Sequence, residues 1–264
     1  MRGRRVLTGY TLLVYFLLLL PLLVVVVVSF NEGRFVKFPP ADWSVDWYRR
    51  ALTNADFLDS FLYSLQVAVI TTTLSTVLGL LGSMGIVRST NRTTRVARAL
   101  SITPLTFPQV IIGLALLEYF IATMGIEITM WTLILGHTVI TIPFTVQIIT
   151  SSLYGLSRSY EEAARTLGAS PLRTLLTVTL PIIRPGITTA AVFAFIISFD
   201  NVGISLFLSA PGSVTLPIRM FQYVETQYDP TIAVISTFLI LYAMLMLLLL
   251  QRLGTLDQVF RGRS

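Results

Sequence analysis

Few side chains in this sequence can do chemistry. Among 264 residues there is no Cys and one His, His137, so a thiol nucleophile, a disulfide framework and a Cys/His metal site are all excluded. The one lysine, Lys37, has no glycine-rich turn around it. A phosphate-binding P-loop is therefore absent, and ATP hydrolysis would have to come from another polypeptide. Two acids, Glu118 and Asp200, interrupt otherwise apolar stretches, where an ionised group costs about 3 kcal/mol or more unless it is paired or wet. Such acids can offer negative charge to a cationic solute. With His137 they could instead form a proton relay. No nucleophile stands at a recognisable spacing from a base, which argues against an enzyme with a catalytic residue of its own.

The elements that hold these residues follow from where charge is missing. The chain is 54% hydrophobic and 12% charged, and a bilayer-spanning helix needs about 20 mostly apolar residues. Charge-sparse intervals predict six spans, at about 6–30, 61–87, 101–124, 130–150, 186–209 and 231–251, in one transmembrane domain covering 1–264. Glu118 falls in the third and Asp200 in the fifth, both more than halfway across when counted at about 1.5 Å per residue from the inner side. At that depth the two acids could share one cavity. Runs such as Val24 to Val28 lack the polar residue every three or four positions that a soluble helix shows on its wet face. The first span follows Arg2, Arg4 and Arg5 as a signal peptide would, but its apolar stretch is too long and no small-residue cleavage site follows, so it reads as a retained anchor. The fold class is all-α integral membrane.

Charge sets the orientation. The N-terminal tail, the segment with Arg88, Arg92, Arg95 and Arg98, the segment from Arg158 to Arg184 and the C-terminal tail together hold 14 basic and three acidic residues, net +11. The alternate segments hold five basic and eight acidic residues, net −3. By the positive-inside rule both termini are cytoplasmic. The overall +6 is thus topological, and nucleic acid is not an expected partner. Trp43, Trp47 and Tyr48 in the first outer segment suit a helix lying in the membrane interface. Glu225 and Asp229, near Tyr223 and Tyr228, are candidate contacts for a partner at the outer face.

The inner segment 156–185, LSRSYEEAARTLGASPLRTLLTVTLPIIRP, is built with care. Ser159 and Glu162 have capping-box spacing, which predicts a helix from Tyr160 through Glu161, Ala163, Ala164 and Leu167. Gly168 offers a left-handed stop. Ser170-Pro171 restarts a helix with an N-cap and an N1 proline, and Pro181 and Pro185 are expected to end it before the fifth span.

Glu162-Ala163-Ala164, Gly168 six residues after the Glu, and Leu180-Pro181 resemble the EAA motif of permease subunits of ATP-binding-cassette importers, with Val178 in place of the usual Ile. The resemblance implies a type I importer permease of the MetI-like fold, with six transmembrane helices and a cytoplasmic coupling helix. It also implies that Glu161, Glu162, Ala163, Ala164, Leu167, Gly168, Leu180 and Pro181 couple the chain to an ATPase dimer, on which ATP and Mg are bound, leaving no cofactor and no metal on this chain. The implied location is the bacterial cytoplasmic membrane.

The stretch from Phe195 to Ile240, beginning FIISFDNVGISLFL, is similar to the second permease of spermidine/putrescine importers, and the similarity extends over most of the chain. It implies a solute path with Asp200 as its acid and Asn201 beside it where many relatives carry a second acid; Glu118 is a further candidate on the strength of its place within a span. It also implies a second homologous permease and an extracytoplasmic solute-binding protein as partners, besides membrane lipid. Relatives carry other cargo too: amino-acid derivatives, thiamine-like compounds, phosphonates or iron. A self-sufficient ion-coupled transporter using Glu118, Asp200 and His137 is the competing class.

Overall fold

A computed structural model of the chain describes residues 2–89, 91, 96, 99, 101, 103–210 and 212–252. Arg92, Arg95 and Arg98 and the C-terminal tail beyond Arg252 lie outside the described residues. The described residues are helical, with two isolated β-bridges and no strand. Among the described residues, four helices are long and apolar enough to cross a membrane: Leu7–Val28, Ala55–Arg88, Met130–Tyr154 and Pro171–Phe199. The chain divides into two compact units, Met1–Asp59 with Arg219–Leu249 and Ser60–Ile218 with Leu250–Ser264.

In the first unit, α1 (Arg2–Val28) carries no charge from Leu7 onward and its leucines are exposed, Leu12 and Leu18 by about two thirds. That is the surface of a helix meant for lipid. The following segment folds back on it. Tyr48 on α2 (Asp46–Thr53) shares a hydroxyl–hydroxyl bond of 2.5 Å with Ser29 and packs on Phe30 and Phe238, at ring separations of 5.0 and 5.6 Å. Trp47 is buried and its indole N–H donates to the Glu32 carbonyl. Of the three aromatic residues expected at an interface, Trp43 alone is exposed. The other two close a small core, because the loop before α2 doubles back through the Asn31–Trp43 bridge.

The second unit is built around α5 (Met130–Tyr154), which is buried on most sides: Leu133, Ile134, His137, Thr141, Thr145 and Ile149 are all inaccessible. A helix with no charge and many hydroxyls can be central in a membrane protein, since small polar residues let neighbouring backbones approach and bond across. Against α3 (Ala55–Arg88), Ser75 bonds the Thr141 hydroxyl. Thr145 donates to the Ser75 carbonyl at 2.9 Å, and Ser83 to the Val146 carbonyl at 3.0 Å. A side chain on Gly79 would collide with Thr145. α5 also lies along α7 (Pro171–Phe199), where Ile149, Leu153, Ile183 and Ala190 form one apolar cluster.

Two expected spans take a different form. Over 101–124 the helix α4 runs only from Gln109 to Thr123, about 22 Å long, less than the roughly 30 Å of a hydrocarbon core. Pro108 starts it, and its last turn, Tyr119–Thr123, is a widened π turn. Over 186–209, α7 stops at Phe199 and one short turn, α8 (Ser205–Leu208), follows a break. Pro181 and Pro185 do not end the helix that begins at Pro171. Leu175–Thr179 forms a π turn closed by the Leu180 N–H on the Leu175 carbonyl. This widening accommodates Pro181, whose missing N–H and bulky ring would disrupt a regular turn. The remaining elements are α6 (Arg158–Thr166), α9 (Leu216–Thr226) and α10 (Thr231–Arg252).

Candidate functional site

Two sets of residues stand out, both in the second unit. The first is α6 and its exit. The helix begins at Arg158, with Ser157 rather than Ser159 at the N-cap, and no side chain caps it. The expected box between Ser159 and Glu162 is not formed, because the Ser159 hydroxyl is engaged by Ser157 at 2.8 Å. The exit follows the sequence closely. Gly168 has φ +85, its N–H reaches the Arg165 carbonyl at 2.9 Å, and the Ala169 N–H reaches the Ala164 carbonyl at 3.0 Å. This pair of bonds is the Schellman stop. Open space surrounds the position a Gly168 side chain would take. Ser170 then caps the next helix by accepting the Arg173 N–H at 3.3 Å.

The side chains of α6 divide by direction. Glu162, Ala163, Gly168 and above all Leu167, 89% exposed, face outward, with Tyr160, Leu172 and Leu176 also exposed nearby. Ala164 is half-buried. Leu180 packs on the Ile149–Ile183 cluster, while Pro181 is exposed. Glu161 points the other way. Its Oε1 accepts the Thr179 hydroxyl at 2.5 Å and lies 3.4 Å from Arg88 Nη2.

The second set is the corner after α7. Asp200 is the C-cap residue, at φ −92 and ψ 11, with its side chain exposed. Asn201 is buried: its amide donates to Gln109 Oε1 at 2.7 Å, and its carbonyl oxygen accepts the Ile204 N–H at 2.9 Å. The backbone here lies against α4, since a Cβ on Gly113 would stand 2.8 Å from the Gly203 carbonyl oxygen. His137 spans the break. Its Nδ1 bonds Ser198 at 2.9 Å, on the last turn of α7, and its Nε2 bonds Ser205 at 3.0 Å, on the first residue of α8. Phe195 and Phe199 stack just before the corner, with Phe61 edge-on to Phe199.

The corner brings Asp200 and Asn201 together with Gln109, which the sequence reading missed; nothing local marks Gln109 as a partner of a residue far along the chain. It separates them from Glu118. That acid is exposed and nine positions beyond Gln109 on the same helix, about 14 Å along the axis. Both His137 nitrogens are held by hydroxyls, so His137 bonds neither Glu118 nor Asp200 directly. In the segment before α10, Asp229 caps that helix through the Thr231 N–H at 2.9 Å and accepts the Tyr223 hydroxyl at 2.8 Å. Burial raises the Tyr223 pKa above the ordinary phenol value, the Thr231 hydroxyl opposing the shift and the Asp229 carboxylate adding to it. Among the described residues, no three His, Asp and Glu side chains are grouped to hold a metal ion.

Residues 75–256, which include both sets, match the family of binding-protein-dependent transport system inner membrane components. The chain belongs to this family. The permease is accordingly a transport component of an ATP-binding-cassette importer, working with ATPase subunits that carry the hydrolysis. It is 34% identical to a putrescine transport system permease protein of Escherichia coli strain K12 over 83% of this chain and 80% of that one. Identity to a spermidine/putrescine transport system permease protein of the same strain is 28%, over 94% and 93%. A molybdenum transport system permease protein of Mycobacterium bovis is 31% identical over 77% and 83%. Among solved structures, the permease fold matches a bacterial transporter involved in alginate import with TM-score 0.71 and 18% identity, over 95% and 96% of the two chains. It matches an inward-facing methionine transporter with TM-score 0.61 and 22% identity, over 79% and 96%.

Proposed function

We propose that this permease imports a small cationic solute bearing amines, such as a polyamine. In this reading a solute-binding protein delivers cargo to the outer face, a second homologous permease completes the path, and an ATPase dimer docks on α6. The 1–264 chain acts as one domain of six spans with both termini cytoplasmic. Glu162, Ala163, Ala164, Leu167 and Gly168 form the docking face, with Glu161, Leu180 and Pro181 behind it. Asp200 supplies charge to the cargo, Asn201 holds the corner in shape, and Glu118 lies farther along the path.

The observation that carries the cargo reading is the exposed carboxylate of Asp200 on a corner whose other polar groups are satisfied within the chain. An acid with no hydrogen-bond partner among the described residues, adjoining Phe199 in the chain, suits an organic cation. It disfavours a small anion. The putrescine and spermidine/putrescine permeases among the relatives add support from a separate direction. For docking, the support is the concentration of exposed apolar side chains, Tyr160, Leu167, Leu172 and Leu176, on a charged cytoplasmic segment.

Reconstitution of the permease with its ATPase, second permease and binding protein in liposomes tests the proposal. ATP-dependent uptake of labelled putrescine is expected, and it should weaken when Asp200 is changed to Asn. Uptake of a small anion but no amine would overturn the cargo reading. Uptake driven by an ion gradient without ATP would overturn the importer reading.

A further inference from the structure

Glu161 is the one acid of α6 that does not face outward. It is also the place where α6 meets two long helices at once: Arg88 is the last residue of α3, and Thr179 is the last residue of the π turn in α7. The need for such a contact follows from how α6 is attached. The helix has no buried residue of its own. Its exit bends at Gly168, whose positive φ and open surroundings make it a natural joint. An element with so little burial moves easily against the body that carries it. A push delivered to its outer face would then be spent in the joint unless something ties α6 to the membrane helices.

We infer that Glu161 is a positioning residue that makes α6, the inner end of α3 and the π turn of α7 move as one body. The proposal rests on the reading of α6 as the ATPase-docking element. The two arms of the tie are unequal. Arg88 is about half exposed and its pair opens on a cleft of about 530 Å³, so solvent screens it and its contribution is small. Thr179 is fully buried and its hydroxyl donates to a carboxylate, a charge-assisted bond of the stronger class. Thr179 also lies within the π turn, where the helix already departs from regular geometry and is best able to shift.

The absence of cysteine permits a direct test. Thr166→Cys on α6 and Gly85→Cys on α3 can carry spin labels, and the distance between them read in the assembled permease–ATPase complex with and without ATP. With Glu161 present, one narrow distance is expected in both states. Glu161→Ala and Thr179→Val should each broaden the distribution and make it shift with ATP. Glu161→Gln, which keeps an acceptor for Thr179, should restore most of the narrow peak, and Arg88→Gln should disturb it least. In liposomes, solute carried per ATP hydrolysed should fall by roughly ten-fold or more in Glu161→Ala, with the complex recovered in ordinary yield. An ATP-dependent shift in the unsubstituted chain, or a Glu161→Ala distribution as narrow as the parent's, overturns the inference. A proportional fall of hydrolysis and uptake together does so as well, since it marks a scaffold role alone. An ATPase that fails to co-purify with the unsubstituted permease overturns the docking reading itself, and this inference with it.

Discussion

The α6 segment and the Asp200 corner use polar residues in opposite ways. At the corner, buried Asn201 and His137 spend their hydrogen bonds on Gln109, Ile204, Ser198 and Ser205, and one carboxylate is left facing outward. On α6 the backbone is closed by its own chain at the Gly168 stop, but the apolar side chains are left outside, Leu167 at 89% exposure. Free energy explains the contrast. An unsatisfied polar group inside a membrane protein is costly, so the corner must be completed internally. An exposed leucine beside water costs little until a partner offers to cover it, so α6 can remain incomplete. One region is finished and presents a charge; the other is unfinished and presents a surface.

Substitutions can break this contrast in either region. The largest effect is expected at Gly168→Val, which forces a β-branched residue into positive φ and adds bulk on the open side: uptake should be lost while the subunit still inserts in the membrane. Gly168→Asn is the discriminating partner, because Asn tolerates left-handed backbone. If Asn also abolishes uptake, the open space at Gly168 is needed by a docking protein; if Asn restores it, only the helix stop matters. Asp200→Asn should lower uptake of a cationic solute by roughly ten-fold or more, the scale of one interaction with a charged group, without altering recovery of the ATPase complex. His137→Ala should act on stability instead. Loss of two internal bonds across the break is expected to cost about 1–3 kcal/mol, read as a lower melting temperature of the purified permease. Leu167→Ser is the smallest change for the chain alone, within about 0.5 kcal/mol, yet it should weaken ATPase recovery. If Leu167→Ser melts early, the leucine belongs to a core and the contrast fails.

The sequence was most readable where structure is local. The Gly168 stop and the Ser170-Pro171 restart depend on neighbours within a few residues, and both are found where capping rules put them. The start of α6 was misread by two residues, because Ser157 and Ser159 are equally good caps and the hydroxyl pair between them decides the competition. Pro181 was misread as a stop because a π turn carries no sequence signature of its own. The corner was half legible: an acid in an apolar run announces itself, but Gln109 and Ser198 find their partners across 92 and 61 positions. Glu161 was visible only as a neighbour of the motif glutamate. Its inward direction is set by Thr179 and Arg88, which helix packing brings to it.

The central claim is that α6 is left incomplete because an ATPase completes it. Placing one cysteine at Leu167 in this cysteine-free chain and oxidising or cross-linking membranes of the whole importer tests it most directly. The account predicts a cross-link between Leu167→Cys and the ATPase. It would be contradicted by a Leu167→Cys chain that assembles an active importer yet cross-links only to lipid or to another permease.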